Sequence, residues 1–206
     1  MGLDTIFIIV IIIFSVIIHE VMHGVAADWL GDPTARLAGR LTLNPLPHID
    51  PIGSILLPII FALTPGSFFF GWAKPVPYNP YNLRPGRFSE AIVAGAGPAA
   101  NLAIAIVFAL ALRSGVFAGL ESLFIYIVAI NISLMLLNLI PVPPLDGSKI
   151  ASAILPRALS RGYENLRAQF EHNPFLGFGV VLVIILLFSN AYTGLVFSIT
   201  RLLAGM

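Results

Sequence analysis

The chain has 206 residues, 58% of them apolar and only 10% Asp, Glu, Lys or Arg, with a formal net charge of +1 and a mean hydropathy of +0.95. Soluble domains carry roughly 25% charged residues, so this composition excludes a cytosolic globule, a disordered tail and a nucleic-acid binder, and reads as one membrane-embedded domain over residues 1–206. The absence of Cys removes disulfides, thiolate metal sites, Cys nucleophiles and iron–sulfur clusters together.

The first apolar run, about residues 5–30, reaches Ile18 without a charge after Asp4. It lacks the basic start and small-residue cleavage site of a secretory signal, so it reads as a retained membrane helix. A segment rich in Pro, Gly and Asn follows. Within it Ile52–Phe70 is apolar but broken by Pro58, Pro65 and Gly66. The region of about 39–80 is expected to dip into the membrane and return, flanked by two short β-strands at Gly39–Leu43 and Lys74–Tyr78, which Pro confines to edges. Three further spans are expected at about 91–112, 120–140 and 175–203, the last interrupted at Ser189-Asn190. The more charged stretch of about 148–171 reads as an interfacial amphipathic connector.

The basic residues favour the re-entrant reading. With residues 52–70 dipping in and returning, Arg36, Arg40, Lys74, Arg84, Arg87, Lys149, Arg157, Arg161 and Arg167 fall on one face, leaving only Arg113 and Arg201 opposite. A full crossing would split them seven to four at best. The nine-to-two split is the better positive-inside pattern, and it puts the N-terminus outside. Irregular backbone at membrane depth must line a polar interior.

Near the end of the first span stands His19-Glu20-Val21-Met22-His23. Residues four apart share a helix face, so both imidazoles reach one metal ion, and Glu20 beside them can serve as a general base. The motif lies roughly 20 Å along the helix from Thr5 at 1.5 Å per residue, which puts three ionisable side chains at membrane depth, where such residues default to a functional reading. A catalytic zinc site needs a third protein ligand and leaves a fourth position for water. Asp28 and Asp32 read as polar punctuation of the helix end, Glu90 opens the second span, and Asp4 and Glu121 lie at the wrong ends of theirs. Asp146 follows the third span after Pro141-Val142-Pro143-Pro144, which stops regular helix and frees the chain to turn back. The first and third spans run the same way, so Asp146 emerges at the same face as His23.

On these residues the chain resembles the site-2 protease family of intramembrane zinc metalloproteases. Besides the H-E-x-x-H string, Asn138 through Gly147 fits the family's N-x-x-P-x-P-x-L-D-G pattern, and Gly97-Pro98-Ala99-Ala100-Asn101 resembles its G-P-x-x-N element. The resemblance implies one Zn2+ per chain held by His19, His23 and Asp146, with Glu20 as the catalytic carboxylate. It implies hydrolysis of peptide bonds in or near transmembrane segments of membrane-tethered proteins, in a prokaryotic cell membrane, with the site toward the cytoplasm. A minimal form is expected, without a PDZ-like insertion, a CBS tail or a preceding span. The expected fold is an all-α polytopic membrane protein with about four full spans plus the re-entrant segment and its short strands around the zinc.

Asn138 either donates to the developing oxyanion or glues helices, and His48 is either a second donor from the re-entrant loop or part of an ordinary turn at Asp50. Asn101 serves helix packing first. The partners expected are transmembrane-helix substrates and the bilayer, with no nucleic acid. Two other functions compete: a membrane zinc carrier or sensor, which would want several ligands along a path, and an inactive helix-binding scaffold, against which the intact Glu20 argues.

Overall fold

A computed structural model describes residues 3–56 and 73–206. Helix α1 spans Leu3–Trp29, and a short α2, Thr34–Leu37, follows it. Irregular chain then carries a 3-10 turn at Leu46–His48 and a π-helical stretch at Pro51–Leu56. After a second 3-10 turn at Pro80–Asn82 come α3 (Ser89–Arg113), α4 (Glu121–Asn138), α5 (Asp146–Ile154), α6 (Arg157–His172) and α7 (Pro174–Ala204).

Four of these helices are long and apolar enough to cross a membrane: Thr5–Trp29, Ser89–Arg113, Glu121–Asn138 and Gly179–Ala204. These match the spans expected from hydropathy. The expected interruption in the last span is a kink at Phe188 (φ −109°, ψ 16°), where two helical stretches of α7 join. The charged connector divides at Pro156 into α5 and α6.

The two β-strands expected at Gly39–Leu43 and Lys74–Tyr78 do not exist: no strand occurs among the described residues. Gly39 takes a positive φ of 65°, which turns the chain where a strand would start. The second stretch is extended, but Pro75 and Pro77 have no N–H to place in a ladder. Its polar groups instead meet side chains and a loop carbonyl, described below. Most of the apolar part of the expected re-entrant segment, residues 57–72, lies outside the described residues.

Helix α3 is the hub, packing against α1, α4, α5 and α7. It can do so because its buried face is small: Ala94, Gly97, Pro98, Asn101, Ala105 and Ala109 recur every three or four residues. In lipid, helix association relies on close packing and interhelical hydrogen bonds, and small side chains allow both. Ala105 and Ala109 seat Val128 and Ile132 of α4, with Val196, Ile199 and Leu203 of α7 closing the cluster. Pro98 lacks an N–H inside the helix, which neighbouring helices make tolerable in a membrane span.

At the other end of α1 the chain is clamped by Asp32, which is fully buried. Its carboxylate accepts from Thr34 N and Oγ1 (3.3 and 2.5 Å), Asn79 N (2.6 Å) and Asn82 Nδ2 (2.9 Å). Arg84 N donates to Leu30 O at 2.8 Å. Asp28, the other acid at this helix end, pairs with Arg36 at 3.3 Å. Helix α6 is tied down by Arg167, which meets Glu90 at the start of α3 at 3.1 Å, and by Tyr163 Oη donating to Pro141 O at 2.9 Å.

Burial alone would raise the Asp32 carboxyl, but the hydrogen bonds from Thr34, Asn82 and Asn79 outweigh it and hold the group below its ordinary value of 3.8. A depressed folded-state pKa contributes stability that is complete above the unfolded value and is lost as pH falls through the folded one. Thermal unfolding in detergent is therefore expected to show a parent midpoint that drops below about pH 4, with a shallower drop for Asp32→Asn. At pH 7 the same variant should be less stable by about 2 kcal/mol; parallel profiles for the two proteins would contradict the clamp.

Candidate metal centre

His19 and His23 project from adjacent turns of α1, and Asp146 is the first residue of α5. Leu139 closes the end of α4, and the Pro-rich turn that follows reverses the chain so that Asp146 comes back to α1. His19 Nε2 lies 3.0 Å from His23 Nε2, and each lies 3.2 Å from Asp146 Oδ2. All three residues are at least nine-tenths buried.

The remaining ring nitrogens decide what this triangle is. His19 Nδ1 donates to Asn101 Oδ1 at 2.6 Å, and His23 Nδ1 donates to the Val93 carbonyl at 2.7 Å. Both partners are pure acceptors at those atoms. Nδ1 of each imidazole therefore carries a proton, and Nε2 of each is turned toward the carboxylate. Three ligand atoms converge within 3.2 Å of one another, an arrangement that a metal cation among them would satisfy. The edges of the triangle also suit zinc, since ligands about 2.0–2.1 Å from a tetrahedral ion stand about 3.3 Å apart. The donor set of two imidazoles and one carboxylate fits a catalytic rather than a closed structural site.

Behind His19 a buried polar chain joins three helices. Asn101 Nδ2 donates to Asn131 Oδ1 at 2.9 Å and Asn131 Nδ2 to Ser15 Oγ at 3.0 Å, while a second Asn131 bond returns to Ile127 O. Such outer partners fix the tautomer and orientation of a metal-binding histidine. Asn101 thus acts on the site directly, beyond the packing role expected of it. Asn131 and Ser15 lie outside every sequence motif and were not expected at the site, although each is a polar residue in the middle of an apolar run, the signal that marks intramembrane function.

On the α3 side the wall is the backbone itself. A Cβ at Gly97 would lie 2.6 Å from His19 Nε2 and 2.6 Å from His23 Cε1, so only glycine lets α3 pass this close to both rings.

Glu20 Oε2 accepts the Val76 N–H at 2.9 Å. His48 is buried, and its Nε2 donates to Thr42 O at 3.0 Å while Nδ1 has no partner. Asn138, the last residue of α4, donates to Leu134 O of its own helix at 3.0 Å. The structure thus gathers His19, His23 and Asp146 into one cluster, sets Glu20 on the same helix beside it, and gives His48 and Asn138 hydrogen bonds elsewhere.

Residues 111–186 match the sequence model of Peptidase family M50. The chain is 34% identical over 188 residues to "Putative zinc metalloprotease YwhC" of Bacillus subtilis, covering 86% of this chain and 79% of that protein. It is 30% identical over 183 residues to "Putative zinc metalloprotease Rip2" of Mycolicibacterium smegmatis, covering 87% and 65%. A protein of the same description from Mycobacterium tuberculosis is 31% identical over 136 residues, 65% of this chain and 51% of its own length. No solved structure matches. The chain belongs to peptidase family M50, the site-2-protease-like intramembrane zinc metalloproteases.

Gly97→Ala should push both rings off the shared point and weaken zinc binding by about tenfold or more. Gly95→Ala is the control, because a Cβ there meets nothing closer than Ile150 Cδ1 at 4.0 Å. Competition with a chromogenic chelator measures both, and equal affinities for the two variants would refute the close-approach role of Gly97.

Proposed function

We propose that this protein cleaves peptide bonds in or near transmembrane segments of membrane-tethered proteins, with His19, His23 and Asp146 holding one zinc ion and Glu20 as the general base. The observation that carries this reading is the convergence of three buried ligand atoms, two of them on imidazoles oriented through Nδ1, beside a carboxylate on the same helix as the histidines. When bound, zinc supplies Lewis-acid activation of water and of the scissile carbonyl.

The chain's own groups do the rest. Glu20 Oε2 is engaged by Val76 N–H, which leaves Oε1 to take the proton of the attacking water and return it to the leaving amine. Asn101 and Val93 hold the imidazoles in one tautomer through the cycle. Burial of the cluster between α1, α3 and α5 limits bulk water, which strengthens each electrostatic contact. A substrate helix must open locally before attack, since its carbonyls are otherwise tied up in its own hydrogen bonds.

The distribution of basic residues supports an orientation with the site toward the cytoplasm. Arg113 at the end of α3 lies against Gly205 beyond α7, so those two helices finish together, away from the end of α3 that packs against α1.

Cleavage of a single-span substrate in detergent or liposomes tests the proposal. Glu20→Gln is expected to lose activity by about a thousandfold or more, as removal of a general base commonly costs roughly 10²–10⁴, while retaining its zinc. Asp146→Ala should lose zinc and activity together. Parental cleavage in Glu20→Gln, or full zinc content in Asp146→Ala, would sink the assignment, and zinc flux into sealed liposomes would favour a carrier.

A further inference from the structure

We propose that Arg40 is a positioning residue for Glu20, acting through the backbone of Lys74, Pro75 and Val76; this rests on the protease reading above and extends it to a loop residue outside the metal centre. Arg40 is 8% exposed. Its Nη2 donates to Lys74 O at 2.8 Å and Pro75 O at 3.2 Å, and its Nε is buried without a partner. No carboxylate pairs with Arg40 among the described residues. Burying a guanidinium with neither an ion pair nor a full set of acceptors is unfavourable, and what it secures here is the path of one extended segment.

That path ends on the base. The Pro75 carbonyl belongs to the same peptide as the Val76 N–H, which meets Glu20 Oε2 at 2.9 Å. Pro75 and Pro77 lack an N–H, so Val76 holds the only backbone donor in residues 75–77, and it is aimed at Glu20. From the other side Lys74 N donates to His48 O at 2.9 Å, and His48 is itself fixed through Nε2 to Thr42 O. The loop of residues 40–48 therefore grips Lys74 at both its carbonyl and its amide, one peptide before the contact with Glu20.

Helix α1 is shaped for the same approach. Gly24 lies one turn beyond Glu20, on the same face. A Cβ there would lie 2.6 Å from Leu41 Cδ2 and 2.8 Å from Val76 Cγ1. The missing side chain lets the residue after Arg40 and the residue that holds Glu20 both seat on the helix. Arg40 touches no reacting atom; it sets where the Val76 amide stands, and the amide sets the carboxylate.

The test compares the parent, Arg40→Met, Arg40→Lys, Val76→Pro, Glu20→Ala and Glu20→Gln, all in detergent with zinc content measured. Arg40→Met is expected to lose kcat by about tenfold to a hundredfold, with KM within about twofold of the parent and zinc content unchanged. Arg40→Lys should recover part of that loss. Hydrogen exchange of the Val76 amide, read without substrate, should quicken by about tenfold or more in Arg40→Met and in Glu20→Ala. Val76→Pro removes the donor itself, so adding Arg40→Met to it should cost less than about a further twofold. Parental Val76 exchange in Arg40→Met, or full additivity with Val76→Pro, overturns the inference. If Arg40→Met does not fold, Arg40→Lys takes its place in the same cycle, where parental exchange or full additivity again overturns the inference. Cleavage surviving in Glu20→Gln would instead defeat the protease reading, and the exchange measurement would still judge the Arg40 contact on its own.

Discussion

Two imidazole nitrogens and a carboxylate oxygen, 127 residues apart in sequence between His19 and Asp146, are held within about a hydrogen-bond length of one another. Such a meeting of ligand atoms suits a cation, and much of the fold is devoted to enforcing it. Helix α3 supplies an acceptor for each outer ring nitrogen and bares its backbone at Gly97. The Pro-rich turn after α4 delivers the carboxylate, and the buried amides of Asn101 and Asn131 stop the first imidazole from rotating away. In a low-dielectric interior, ligand atoms held in place this way need little rearrangement to meet a cation.

Hydropathy exposed the four spans because lipid imposes a length and composition on any helix that crosses it. Chemistry exposed the candidate metal site for a related reason: with so few ionisable residues, His19, His23 and Asp146, and Glu20 beside them, stood out against an apolar background. What stayed hidden was neutral and small. Ser15 and Asn131 carry no charge and occupy no motif, and their significance depends on three helices meeting, which periodicity along one chain does not report. Gly97 was visible as part of a motif, but its role is to be absent from the space two imidazoles occupy.

The expected strands failed for a physical reason that is itself informative. An extended, Pro-punctuated sequence such as Lys74-Pro75-Val76-Pro77 has the shape of a strand without the donors of one. A chain in that condition must find its hydrogen bonds outside a sheet, and here it finds them in a guanidinium, a carboxylate and a loop carbonyl. The extended shape is legible in the sequence, and the commonest partner for it would be another strand. Long-range side-chain contacts took that place, and nothing local in the sequence names them.

The same segment has a consequence for how the molecule comes together. Its bonds to Arg40 and Glu20 span 34, 35 and 56 residues, and no partner within it could order it beforehand. Helix α1 can insert and coil on its own, as membrane helices do before they associate, whereas Lys74–Val76 can settle only when α1 and the loop around Arg40 already stand in place. The hydrogen bond that holds the Glu20 carboxylate can thus form only after separately placed parts of the chain have met.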